Sequence, residues 1–348
     1  MYYIGVDYHK HYSYVVVKNG QGEVERRGAI LNSKEQVQQF LEPYRPGKAA
    51  LEATRNWGLI YDWLEEILDD VALAHPLRTR AIAEVRIKTD KISADILADL
   101  LRADLLPRAY VPGRETREIK NILRQRMFFV RLQTMVKNRI HTILDRHPEV
   151  FSEAQELSDL FGATGMEWLK QVTLSGEDDQ LLASELELLE LLKKKISESN
   201  DVVKELGKQD KRARLLRSIP GIGPFFSVLI LYEIDNVSRF RDPKKLCSYA
   251  GLVPSTYASG GRVYHGRITK QGNKWLRWAL IEAVYPAIRA DAELYAYHER
   301  IRLRKGANAA KVATARRLLT IVYRVLSQGR FYQRKKRRQD SPVALVTS

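Results

Sequence analysis

Three acids in this chain of 348 residues sit where charge should be costly or pre-positioned. Asp7 closes the apolar run Tyr2-Tyr3-Ile4-Gly5-Val6. Glu52 lies within Lys48-Ala49-Ala50-Leu51-Glu52-Ala53, where a carboxylate is expensive unless it is used. Asp90 opens a helical pattern in Lys88-Thr89-Asp90-Lys91. Acids from two central strands and a covering helix can hold a pair of Mg²⁺ ions about 3.5–4 Å apart, the arrangement that assists phosphoryl transfer. Mg²⁺ suits such a place because it takes a few carboxylates plus water and substrate phosphate. Singly, each acid also reads as a turn or capping residue.

A second candidate is a serine. Ser255-Thr256-Tyr257-Ala258-Ser259-Gly260-Gly261 runs into Arg262-Val263-Tyr264-His265-Gly266-Arg267-Ile268-Thr269-Lys270-Gln271-Gly272-Asn273-Lys274. A serine hydroxyl attacks phosphorus only when it is deprotonated or held in line. Arg262, Arg267, Lys270 and Lys274 would steady charge building on phosphate oxygens. The same residues also describe a basic, glycine-rich loop that merely grips a polyanion. Ser255 is the rival hydroxyl and His265 the local base. Upstream, Ser218-Ile219-Pro220-Gly221-Ile222-Gly223-Pro224 joins two helical patterns. Gly221 and Gly223 permit a tight turn of the helix-hairpin-helix kind, with backbone N–H groups free to meet phosphate.

The elements that must carry these residues follow from pattern. Strands are expected at 2–7, 13–17 and 24–30, with a hairpin turn at Asn19-Gly20-Gln21-Gly22. A helix capped by Ser33 follows. Then come a strand at 48–53, a helix at 57–69, a strand at 71–74, and helices to about 104. A meander followed by alternating units predicts an α/β domain with a mixed sheet, in the order of the ribonuclease H-like fold. Residues 115–146 form a basic helical stretch. Residues 178–207 are acidic and Leu-rich, with Leu182, Leu186, Leu189, Ile196, Asn200 and Val203 approximating a heptad seam. This reads as a helical hairpin or coiled coil that joins copies of the chain, or packs on its own chain. The expected domains are 1–150 (sheet domain plus basic helix), 151–210 (acidic helices), 211–330 (mainly helical, with the serine) and 331–348. The last is a basic tail containing Arg334-Lys335-Lys336-Arg337-Arg338, expected to be flexible or to touch phosphate.

The net charge of +16 is uneven. Residues 211–348 hold 28 Lys and Arg against 8 Asp and Glu, whereas 151–210 hold 6 against 14. So basic a C-terminal part, with aromatics interleaved, points to a nucleic-acid partner. No stretch is apolar enough for a membrane helix and no leader is evident, so the cytoplasm is expected. The lone Cys247 excludes a disulfide framework and a Cys-based zinc site. An actin-like kinase also opens with a G-x-D strand. It would need a second glycine-rich phosphate turn, and the basic C-terminal part argues against it.

The segments GVDYHK, ALEAT, RIKTDKISADILADLLRADLLPRAYVP, SIPGIGP and KKLCSYAGLVPSTYASGGRVYHGRITKQGNKWLRWAL together resemble the insertion-sequence-one-ten (IS-one-ten) family of bacterial transposases, from about residue 2 to 325. The resemblance implies a RuvC-like nuclease domain with an Asp-Glu-Asp-Asp set and Mg²⁺. It also implies a C-terminal serine that links covalently to DNA. Asp7, Glu52 and Asp90 would take the first three acidic roles and Ser259 the nucleophile's. It further implies a bridge RNA pairing with donor and target DNA, and a homodimer or homotetramer whose two sites act together. In one respect the chain departs from the family. The fourth acid belongs three residues after Asp90, where this chain has Ser93. Asp95 would replace it only in a helix starting after Asp90. A catalytically degenerate nucleic-acid-binding protein of the same fold is the alternative that this departure keeps open.

Overall fold

A computed structural model describes residues 1–54, 56–83, 89–259 and 262–333. The basic run 334–338 lies outside the described residues, as do Gly260 and Gly261. The chain divides into two compact units, Met1–Pro112 and Gly113–Ser348.

The first unit opens with β1 (Tyr2–Tyr8), β2 (Tyr12–Lys18) and β3 (Val24–Leu31). Next come α1 (Lys34–Leu41), β4 (Gly47–Glu52), α2 (Trp57–Ile67), β5 (Asp70–Ala74), α3 (Pro76–Ile82) and α4 (Asp90–Arg102). The order is that expected from the sequence, to within a residue or two at most ends. Asn19 makes the first turn: its side-chain oxygen accepts from the backbone N–H of Gln21 and Glu23, both at 3.0 Å. Ser33 caps α1 by accepting from Gln36 N–H. The five strands run β3-β2-β1-β4-β5. The meander is antiparallel, and β1, β4 and β5 are parallel.

Strand alternation gives this sheet two unlike faces. Ile4, Val6, Ala49, Leu51 and Leu73 join a large core with Val37, Phe40, Ile60 and Leu64 of α1 and α2. The opposite face is built from small residues, Gly5, Ala50, Ala72 and Ala74. There α4 lies unusually close. A Cβ added to Gly5 would stand 1.8 Å from the Ala94 carbonyl oxygen and 2.8 Å from the Ala98 nitrogen. Buried Lys18 of β2 fastens the same helix, reaching Asp95 at 2.9 Å and Asp99 at 2.7 Å.

The second unit is mostly helical. α5 (Arg114–Leu144), α6 (Pro148–Glu156), α7 (Ala163–Gln171) and α8 (Asp178–Gln209) come first. The boundary expected near 150 would have placed α5 with the sheet. In this structure α5 packs along α8 within the second unit. The two helices are antiparallel, since Arg126 meets Asn200 at one end and Arg139 meets Glu185 further along. Leu182, Leu186, Leu189 and Val203 of the anticipated seam are buried within the chain. Asn200 is exposed and accepts from Arg126 Nε at 2.6 Å, so it is not the buried register-setting asparagine that the heptad pattern suggests.

α9 (Lys211–Arg217), α10 (Pro224–Ile234), α11 (Pro243–Tyr249), β6 (Pro254–Ser259), β7 (Arg262–Ile268), α12 (Lys274–Glu282), α13 (Val284–Ala290), α14 (Ala292–Lys305) and α15 (Ala307–Gln328) complete the chain. The segment read from sequence as a serine loop is a two-stranded antiparallel ribbon, with Tyr257 opposite Tyr264 and Ser259 opposite Arg262. No helix among the described residues is long and apolar enough to cross a membrane.

The close approach at Gly5 yields a first prediction. Gly5→Ala must push α4 off the sheet, which overpacks the interface and costs about 1–3 kcal/mol or more. Urea unfolding of the variant measures this; unchanged stability would mean that α4 does not rest on β1 as described.

Candidate functional site

Asp7 is the sixth residue of β1 and shares the strand face of Gly5, the one that α4 covers. In the parallel pair of β1 and β4, Val6 stands beside Leu51, so the next step along both strands sets Asp7 beside Glu52. Glu52 shares its face with Ala50, which packs against α4. Asp90 is the first residue of α4, fixed there by Thr89, whose hydroxyl oxygen caps the helix by accepting from Ile92 N–H. The three acids thus come from two adjacent central strands and the helix over them.

A residue that sequence reasoning missed joins two of these acids. Asp7, His9 and Asp90 each offer a ligand atom, and these atoms lie within 4.8 Å of one another. His9 Nε2 is 3.2 Å from Asp90 Oδ1 and 3.6 Å from Asp7 Oδ2. Yet that nitrogen is buried and makes no hydrogen bond of good geometry among the described residues. Tyr12 completes the group. Its ring stacks on His9 at 5.0 Å between centroids, and its hydroxyl donates to Asp90 Oδ2 at 2.7 Å. This hydrogen bond, with the nearby imidazole, holds the Asp90 carboxyl below the usual carboxylate range, and the same contact pushes the Tyr12 hydroxyl up. The signal for His9 was its spacing: two residues after Asp7 is the same side of an extended chain.

The donor set fits a divalent cation. Carboxylate oxygens suit Mg²⁺ or Mn²⁺, and an imidazole nitrogen also suits Mn²⁺ and later transition ions. His9 Nε2 stands between the two carboxylates without a well-formed hydrogen bond among the described residues, the place a third donor to a shared cation would occupy. Ser93 stands one turn on from Asp90, and its hydroxyl is a second buried polar atom without a partner among the described residues. Since α4 begins at Asp90, the condition for Asp95 to serve as the fourth acid is not met. Asp95 is instead engaged with Lys18.

In the second unit the basic residues expected to meet phosphate are exposed: Arg262, Arg267, Lys270 and Lys274. Between Asp242 and Glu282 the sequence contains seven Lys or Arg and no acid. Ser259 is the last residue of β6, paired in backbone register with Arg262. Its rival Ser255 is committed elsewhere, donating to the Arg267 carbonyl at 3.2 Å and lying against Gly266. The two glycines of the SIPGIGP turn differ in role. Gly221 has φ +82°, and a side chain there would strike the Ala283 carbonyl at 2.3 Å, so it packs inward. Gly223 is exposed at the N-terminus of α10 with open space around it.

A buried carboxylate ties α10 to α5 and to the cap of α12. Glu233 of α10 is fully buried. It accepts from Arg124 at 2.9 and 3.1 Å and from Asn273 Nδ2 at 2.8 Å, with Lys120 Nζ at 3.8 Å. Asn273 in turn caps α12, accepting from Trp275 and Leu276 N–H. Burial pushes the Lys120 ammonium down, while Glu233 opposes the shift.

Two predictions follow from this geometry. Tyr12→Phe removes the bond that orients Asp90. It is expected to weaken Mn²⁺ binding about 10- to 100-fold, the usual effect of losing a supporting group, as read by electron paramagnetic resonance of the free ion. Unchanged affinity would separate Tyr12 from the site. Glu233→Ala strands a buried cation and is expected to lower stability by about 3–5 kcal/mol. Chemical denaturation checks this.

Comparison with known proteins identifies what these sites belong to. A DEDD transposase model of the IS110 type matches residues 4–148. The model described as "Transposase IS116/IS110/IS902 family" matches residues 213–299. The chain is 26% identical over 314 residues to a protein named "Probable family 20 transposase" from Pseudomonas aeruginosa, covering 86% of this chain and 89% of that one. It is 25% identical over 142 residues to the transposase for insertion sequence element IS1111A of Coxiella burnetii, covering 40% and 39%. It is 35% identical over 130 residues to the pilin gene-inverting protein of Moraxella bovis, covering 36% and 39%. With the carboxylate-bearing unit and the serine-bearing segment each matched in order, the chain belongs to the IS110 family of DNA transposases.

Proposed function

We propose that this transposase cuts and rejoins DNA by two linked devices, a divalent-metal site on the sheet and a serine nucleophile on the basic ribbon. The observation that carries the reading is the meeting of Asp7, His9 and Asp90 at the end of the central strand, with Glu52 at the neighbouring position. We read the mixed sheet as RuvC-like, of ribonuclease H-like fold, on its strand order. Asp7, Glu52, Asp90 and His9 would hold Mg²⁺ or a similar ion. When bound, such an ion supplies Lewis-acid stabilisation of phosphate and leaving-group charge.

Ser259 supplies the attacking oxygen. Its Oγ–phosphorus bond forms as the bond from phosphorus to one DNA sugar oxygen breaks. The proton lost by the serine balances the one gained by the departing sugar hydroxyl. The resulting phosphoserine ester keeps the linkage activated, so that attack by another sugar hydroxyl reseals DNA and releases the serine. Arg262, Arg267, Lys270 and Lys274 offset charge on the phosphate. Gly223, at the N-terminus of α10, offers backbone N–H groups to a neighbouring phosphate. A bridge RNA encoded by the element guides the choice of donor and target, a reading that the family and the basic second unit support. Copies of the chain assemble as a homodimer or homotetramer. Leu181, Leu188 and Val202, left exposed at heptad positions of α8, support this.

The deciding experiment traps the covalent adduct on a nicked DNA substrate under denaturing conditions. Wild type and Ser255→Ala are expected to form it, and Ser259→Ala to form none while still binding DNA. An adduct from Ser259→Ala but not from Ser255→Ala would overturn the assignment. Loss of the adduct in Asp7→Asn, with DNA binding retained, tests the metal site in the same assay.

A further inference from the structure

The ribbon carries two side chains that neither the metal site nor the serine chemistry uses. Tyr257 and Tyr264 face each other across β6 and β7, and they are 70% and 64% exposed. Directly opposed residues of an antiparallel pair project from one face with Cβ atoms about 4.5–5.5 Å apart. The root of the ribbon, at Val253 and Ile268, packs against the helical core, and the two tyrosines do not join it. A two-stranded hairpin is marginal by itself, so leaving both rings in water gains the fold nothing. Polyanion chemistry surrounds them, in the acid-free stretch that holds Arg262, Arg267 and Lys270. Ser259 follows Tyr257 by two residues and pairs with Arg262.

We propose that Tyr257 and Tyr264 form a stacking platform for unpaired DNA bases beside the phosphate that Ser259 attacks. Planar rings among cations are the recurrent means of holding single strands, because every base has a face to stack and every nucleotide a phosphate to pair. The platform selects opened strands over duplex, since bases inside a duplex have both faces covered by neighbours. It deepens the function proposed above by naming the state of the DNA at the serine: locally melted, with bases near the scissile phosphate turned onto the ribbon. Stacking needs the ring and not the hydroxyl, so phenylalanine should serve.

The test uses the full-length chain carrying Ser259→Ala, so that no chemistry contributes and the result is independent of the adduct assay. Fluorescence anisotropy compares an oligothymidine strand, the same strand with abasic sites in place of bases, an oligouridine strand and a duplex. Tyr257→Ala and Tyr264→Ala should each weaken binding to oligothymidine about five- to 100-fold. They should leave the abasic strand, the duplex and the slope of affinity against salt nearly unchanged. Tyr257→Phe and Tyr264→Phe should bind as the parent does. Arg262→Ala should reduce the salt slope by about one unit on every ligand. Equal weakening on abasic and base-bearing strands, or none on either, would overturn the proposal. A loss confined to oligouridine would overturn its assignment to DNA. A wild-type chain that forms no serine adduct but keeps the tyrosine-dependent preference for bases would sink the nucleophile reading alone.

Discussion

The absence of a side chain at Gly5 is the constraint on which the face carrying the acidic cluster depends. A helix on a sheet ordinarily stands off by the thickness of the residues between them. Here the face is lined by Gly5, Ala50, Ala72 and Ala74, and Ala94 and Ala98 of α4 descend onto it. That descent brings Asp90, at the first turn of α4, level with the end of β1. Lys18 then holds the helix laterally through Asp95 and Asp99. Thr89 fixes where the helix starts, and Tyr12 ties Asp90 to β2. A larger residue at position 5 would leave every one of these acids in place in sequence but carry Asp90 away from those on the strands.

Most of this architecture was legible in the sequence because its signals are local. Short apolar runs marked the strands, Asn19-Gly20 the hairpin and Ser33 the cap, and each did in the structure what its chemistry suggests. The acids were legible for the same reason, as charges in apolar surroundings. His9 was harder to read, because a histidine near a strand end is ordinary until its neighbour across space is known. The partner that gives it meaning, Asp90, is eighty-one residues away. Ser93 and Asp95 show the value of a helix boundary: once α4 starts at Asp90, geometry alone assigns Ser93 to the site's face and Asp95 to Lys18.

The second unit was less legible, because its organising contacts are long-range and its patterns ambiguous. A Leu heptad fits a helix that packs on its own chain as well as one that meets another copy. The structure uses Leu182, Leu186 and Leu189 internally and leaves Leu181 and Leu188 outside. Glu233, like Glu52, is a charge in an apolar run, PFFSVLILYEI, but nothing local names its partners. It gathers Arg124 and Lys120 from α5 and Asn273 from the cap of α12. The ribbon was read as a loop because its glycines and basic residues outweighed a short alternating pattern. Strand pairing still fixes the register, setting Ser259 against Arg262 and Tyr257 against Tyr264.

The chemistry of the donor set carries the last step. In the proposed metal site, Ser93 stands where the resemblance places an acid, which would leave one negative charge fewer to attract a dication. A neutral hydroxyl is a weaker partner than a carboxylate for a hard ion that prefers charged oxygen. His9 would supply a ligand without restoring the charge, and nitrogen favours ions further along the first transition row. The combination would shift the balance of such a site from electrostatic attraction toward coordination geometry, and geometry is what α4 supplies. Asp90 is held ionised by Tyr12, and His9 is held by stacking on the same ring, so one tyrosine orients two of the three clustered donors. A site with fewer charges can remain competent only if its remaining ligands are fixed in place. That requirement returns to the tight seat of α4 on Gly5.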